Sequence, residues 1–171
     1  MFKKQSGTVL VVSLMILISL TLLVLSATQS TLMQEKMTSA IRDAHISLEV
    51  AESGVRDAEE MIDALTGVTG FSDAGTGGMY SEGNGPSDLF ADTVWSSNLT
   101  NEATGQISGL VSRYFVEYLG LFSVGGSLSN INIDEKNSTS GDVHGFKIVA
   151  RSVGRDGNTE RVIVSYYGKS F

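Results

Sequence analysis

The chain has 171 residues with 12 basic and 19 acidic side chains, a formal net charge of −7, one proline and no cysteine. Those figures exclude disulfide stapling and lipid anchoring at a cysteine, and the acidic balance argues against general nucleic-acid binding, which depends on neutralising phosphates. The length suits one soluble domain plus an anchor.

The anchor comes first. After Met1-Phe2-Lys3-Lys4-Gln5-Ser6-Gly7, the segment Thr8 to Ala27 reads TVLVVSLMILISLTLLVLSA, and no charge falls between Lys4 and Glu35. About 20 apolar residues in a helix cross a hydrocarbon core, and the hydroxyls interrupting the run can bond back to their own backbone. Lys3 and Lys4 predict a cytoplasmic N-terminus and an exported remainder. A secretory signal peptide is cut after its apolar region at a small-x-small site, and Ser26-Ala27-Thr28-Gln29-Ser30 is a weak site of that kind.

Apolar periodicity continues beyond the anchor. Met37, Ile41, Ala44, Leu48, Ala51, Val55, Ala58, Ile62 and Leu65 recur at alternating spacings of four and three, a heptad stripe expected to face the protein's own sheet. Within it Ile41, Leu48, Val55 and Ile62 are the predicted helix–sheet packing residues. The opposite face carries Arg42, Asp43, Glu49, Glu52, Arg56, Asp57, Glu59, Glu60 and Asp63 and is read as solvated. No proline precedes Pro86, so a single helix from Thr8 to Leu65 is predicted, closed by Thr66-Gly67.

Residues 66–109 are rich in glycine, serine, threonine and aspartate and predict a long irregular surface connection, fastened by Leu89, Phe90, Val94 and Trp95. Val111–Leu119 alternates Tyr114, Val116 and Tyr118 with Arg113, Phe115 and Glu117, a strand pattern. A second loop spans 120–143. Phe146–Val153 and Arg161–Tyr167 then flank Gly154-Arg155-Asp156-Gly157-Asn158, a hairpin signal. The predicted class is α+β, with one long N-terminal helix packed on a small antiparallel sheet of three strands or four.

No catalytic constellation emerges, and no cofactor or metal is expected. His45 and His144 stand without a partner set for nucleophilic chemistry. Gly168-Lys169-Ser170 lacks the glycine a phosphate loop needs, since that position is Ile163. Asn130, Asn132 and Asp134 alternate like the start of a calcium loop, but Glu135 and Gly141 occupy positions that need glycine and glutamate. Asn98-Leu99-Thr100 and Asn137-Ser138-Thr139 fit a glycosylation pattern. The C-terminal end is locally basic, with Lys147, Arg151, Arg155, Arg161 and Lys169 as a candidate DNA-binding patch.

The basic leader ending in Gly7, the apolar segment directly after it and the helix reaching Val50-Ala51-Glu52-Ser53-Gly54-Val55-Arg56-Asp57-Ala58-Glu59 together resemble the N-terminal half of PilX-family minor pilins of type IV pili. The resemblance implies a prepilin leader, residues 1–7, removed by a prepilin peptidase between Gly7 and Thr8, with N-methylation of Thr8. It further implies a transmembrane or fibre-core half at 8–34 and a periplasmic, later extracellular, head at 35–171. The implied partners are the inner membrane, sibling minor pilins, the major pilin and a tip adhesin of the PilY type, and the implied role is to prime the pilus and remain at its tip. Most pilins begin the mature chain with Phe and carry Glu at its fifth residue, whereas Thr8 and Val12 stand here, as in minor pilins thought to start the fibre. A DNA-capturing minor pilin and a type II secretion pseudopilin are the alternative readings. The latter usually carries a large helical insertion, for which this head is too short.

Overall fold

The computed structural model describes residues 7–96, 98–122 and 143–171. Lys3, Lys4, the Asn130–Asp134 pattern and Asn137 lie outside the described residues. The chain divides into two compact units, 1–42 and 43–171. Helix α1, Thr8–Ala64, belongs to both.

In the first unit α1 is exposed along its whole length and apolar from Thr8 to Ala27, and it is long and apolar enough to cross a membrane. Several of its hydroxyls are satisfied locally. Ser13 donates to the Leu10 carbonyl at 2.9 Å, Ser19 to Met15 at 2.9 Å, Thr21 to Ile18 at 2.8 Å, and Thr28 to Leu25 at 2.8 Å. Back-bonding of this kind lets Ser and Thr sit in an apolar helix without exposing an unpaired hydroxyl to hydrocarbon.

The second unit is an α+β layer structure. The last part of α1 lies on a five-stranded sheet of β1 (Met79–Tyr80), β2 (Asn101–Ile107), β3 (Leu110–Phe122), β4 (Val143–Val153) and β5 (Glu160–Lys169). Strands β3, β4 and β5 form an antiparallel run, and β2 pairs antiparallel with β3. The sheet is mixed, not purely antiparallel, because β1 pairs parallel with β3 through Met79–Val116 and Tyr80–Glu117. The connection expected to be irregular therefore supplies two strands. It also supplies two 3₁₀ turns, Thr76–Gly78 and Asp92–Trp95. Gly157 closes the β4–β5 hairpin with φ +73°, a conformation that costs glycine little.

The helix face differs from the heptad expectation. Met37, Ile41 and Leu48 are 60%, 57% and 39% exposed. The residues buried against the sheet are Ser47, Val50, Ala51, Ser53, Gly54, Ala58 and Ile62, with Val55 half-buried at the margin. The reason is geometric. A 3.5-residue repeat drifts about 20° per heptad around a straight helix of 3.6 residues per turn. Over the four heptads from Met37 to Leu65, such a stripe leaves the face that a flat partner can cover. Within the second unit the sheet follows the 3.6-residue row, so Leu48 falls off it while Ala51, Ala58 and Ile62 stay on it.

Small side chains on that row bring the helix close. A Cβ on Gly54 would lie 2.3 Å from Ser112 Oγ and 2.8 Å from Ser112 Cβ, so only glycine fits there. Ser152 Oγ donates directly to the Ser47 carbonyl. The helix-side core then fills with Ala58, Ile62, Tyr114, Val116, Phe146, Ile148 and Ala150.

The opposite sheet face is covered too. Tyr80 and Trp95 from the 66–109 connection pack on Phe115 and Val149. Tyr80 meets Phe115 edge-on with ring centroids 5.3 Å apart, a favourable aromatic geometry. Trp95 Nε1 donates to the Leu89 carbonyl at 2.9 Å, so the buried indole is satisfied. Leu89 and Val94 help fasten the segment, whereas Phe90 stays 67% exposed. The second unit thus has three layers: helix, sheet and strapped connection.

Candidate functional site

Two regions carry the functional expectations: the start of α1 and the basic end of the sheet. Gly7 and Thr8 open the helix, and the Gly7 carbonyl accepts from Val11 N at 3.3 Å. Val12 lies one turn on, 54% exposed beside Val9, Ser13 and Ile16. This first turn and its neighbours present no carboxylate.

The structure does not gather the five proposed DNA-contacting cations into a free patch. Lys147 Nζ is 3.0 Å from Glu117 Oε2. Arg151 is ion-paired with Asp92 at 2.6 Å and with Glu160, and its guanidinium sits 5.7 Å from the Trp95 ring centroid. Lys169 Nζ donates to the carbonyls of Ile62, Asp63 and Leu65 at 2.9, 2.7 and 2.6 Å. There it caps the last turn of α1, where a helix leaves carbonyls unpaired and its dipole favours a cation. Arg155 and Arg161 remain exposed.

Several residues read as solvated in the sequence are structural ties. Asp57 Oδ2 accepts from Thr104 N at 2.6 Å and from Thr104 Oγ1 at 2.8 Å, fixing β2 to the helix. Asp43 Oδ1 accepts from Arg155 N at 2.8 Å, and Asp63 Oδ1 from the Tyr167 hydroxyl at 2.8 Å. The bond to Asp63 is the main reason the Tyr167 phenol sits above its usual pKa. Burial, then the Asp57 charge, raises that of Tyr114. In the hairpin, the backbone N–H groups of Asn158 and Thr159 hold the Asp156 carboxyl below the ordinary aspartate range.

Glu117, which alternates with Val116 and Tyr118 along β3, is only 6% exposed. Its Oε1 accepts from Gly83 N at 3.1 Å while Oε2 meets Lys147, so the pair pins the 81–86 loop onto the sheet. Spacing alone held no signal for these ties, because each joins residues tens of positions apart. His144 Nδ1 is 2.9 Å from the Tyr118 hydroxyl, and its ring stacks edge-on with Phe171. His45 is exposed on α1. Among the described residues no three metal-ligating side chains converge.

What the arrangement offers is therefore an exposed apolar helix and an α+β head whose charged side chains are largely tied to its own elements. No curated protein and no solved structure matches the chain. Two family models do: PilX N-terminal over residues 6–56, and type IV pilus assembly protein PilX C-term over residues 64–169. Together they span nearly the whole sequence, leaving out only its first five residues, 57–63 and the last two. The apolar N-terminal helix and the α+β head fit that match, and the chain belongs to the PilX family of type IV pilus assembly proteins.

Proposed function

We propose that this chain is a minor pilin that primes assembly of the type IV pilus and stays at its distal end. The observation that carries the reading is Val12. In pilins generally, the fifth mature residue is a glutamate that meets the N-terminal amine of the subunit added before it. A first subunit has no predecessor, and an unpaired charge at the bilayer centre costs about 2.5–3.5 kcal/mol on insertion scales. Val12 avoids that cost and also removes the means of joining later. The reading takes 1–7 as a leader cut after Gly7, Thr8 as the methylated mature N-terminus, 8–34 as the membrane and fibre-core half, and 35–171 as the exported head. Sibling minor pilins, the major pilin and a PilY-type adhesin are the expected neighbours. The family match favours this reading over a secretion pseudopilin, and the internal engagement of Lys147, Arg151 and Lys169 weighs against DNA capture.

Two measurements test it. Intact mass of membrane-extracted protein should show loss of residues 1–7, and a new N-terminus at Ser26 or beyond would mean a conventional signal peptide. Gold labelling of an epitope in the 66–88 region should mark pilus ends in very few copies. Regularly spaced label along the shafts would rule out confinement to the tip.

A further inference from the structure

Strand β5 ends the sheet, and no described residue pairs with its outer side. All ten of its residues are in unbroken register with β4, so the edge is straight and free of bulges. Its sequence, ERVIVSYYGK, holds no proline, and its charges lie only at the two ends. The middle seven residues, Val162–Gly168, are uncharged and rich in β-formers. Natural sheets usually blunt such an edge with proline, lysine, a bulge or a covering segment. Among the described residues none of those devices protects the middle of β5.

A groove of about 340 Å³ adjoins this edge on the face away from α1. Its floor is the cross-strand pair Gly145–Gly168, bare backbone on both strands. The Phe122 ring lies so close over Gly145 that a Cβ there would meet it at 2.3 Å. Phe122, Leu119 and Tyr166 form the walls, with Phe122 and Tyr166 52% and 70% exposed. Val164, beside Tyr166 on the same face, is 42% exposed. An unpaired row of N–H and C=O groups beside an apolar groove fits an extended strand whose alternate side chains are apolar.

We propose that β5 is a docking edge that takes an extended, apolar-alternating strand from another pilus assembly component, with a carboxylate on that strand beside Arg161. The proposal rests on the reading of this chain as part of a pilus assembly complex. Charge complementarity weighs against a second copy of β5 as the occupant. Arg161 is exposed at the start of β5, and a second copy of β5 has no carboxylate to offer it, because its one acidic residue, Glu160, is held by Arg151.

The test is hydrogen exchange at residues 160–169 of the full-length tagged chain in detergent, alone and in complex with the pilus components that co-purify with it. Strand addition slows alternate β5 amides on the order of 100-fold in the complex, whereas side-chain contact alone leaves them unchanged. A complex in which β5 exchanges as it does in the isolated chain overturns the proposal and leaves the pilus reading intact. Recovery of the chain with no other pilus component overturns both. Protection already present in the isolated chain also overturns it: if it rises with concentration the occupant is a second copy, and if it vanishes on deleting residues 123–142 the occupant is this chain itself. The Val164→Lys, Tyr166→Lys double variant changes only exposed positions. It should unfold at the unchanged midpoint and lose the complex, and retention of both complex and protection would refute strand addition.

Discussion

Gly54 is where residue chemistry decides the approach of helix to sheet. In an exposed helix, replacing glycine by alanine gains about 1 kcal/mol of helix propensity. Here the added Cβ meets Ser112, and overpacking of a tight site costs about 1–3 kcal/mol. Gly54→Ala is therefore expected to destabilise the head, and adding Ser112→Gly to recover much of the loss. Denaturant melts of residues 35–171 check this, and a more stable single variant would show that the layers can separate freely. The Gly54 signal was present in the sequence as a glycine inside a long helical pattern, but its partner Ser112 was not. Lys169 illustrates the same limit. As one of five cations near the C-terminus it looked like surface charge, and only the return of β5 past the end of α1 makes it a cap.

At the scale of elements, α1 shows how a correct helix assignment can carry an incorrect face. The boundary expected at Leu65 and the observed end at Ala64 nearly coincide, with Leu65 N closing a last tight turn on the Ile62 carbonyl at 3.0 Å. The buried row, however, follows the straight-helix period. Ile62→Ala is expected to cost about 2–5 kcal/mol, since the side chain is wholly enclosed. Leu48→Ala should cost under about 1 kcal/mol in the isolated head, as an exposed substitution does. Equal losses at the two positions would contradict this assignment of faces. The alternation of β3 fared differently, because a sheet with both faces covered still obeys period two. Tyr114, Val116 and Tyr118 turn to the helix side, and Phe115 and Glu117 to the strap.

The whole head depends on that strap. Trp95 and Tyr80 are the large side chains of the 66–109 connection that are nearly enclosed, at 6% and 4% exposure, and packed on a core ring, 5.7 and 5.3 Å from Phe115. Trp95→Ala is expected to cost about 3–5 kcal/mol and to expose Phe115, Val149 and the Arg151 ion pairs together. A loss comparable to that of a surface substitution, measured in the same melts, would mean that the connection is not a structural layer. Sequence by itself determined the apolar helix, the helix-to-sheet order, the hairpin and, through the leader, the anchor and its helical continuation, the family expectation. Each of these is written in local composition or short-range period, which a linear reading captures. Tertiary structure alone decided which helix face is covered, that the loop-rich stretch becomes a third layer with two strands, and that three of five basic residues are engaged inside the head. Those outcomes depend on contacts between residues 30 to more than 100 positions apart, and no local pattern encodes which side chains such contacts will join.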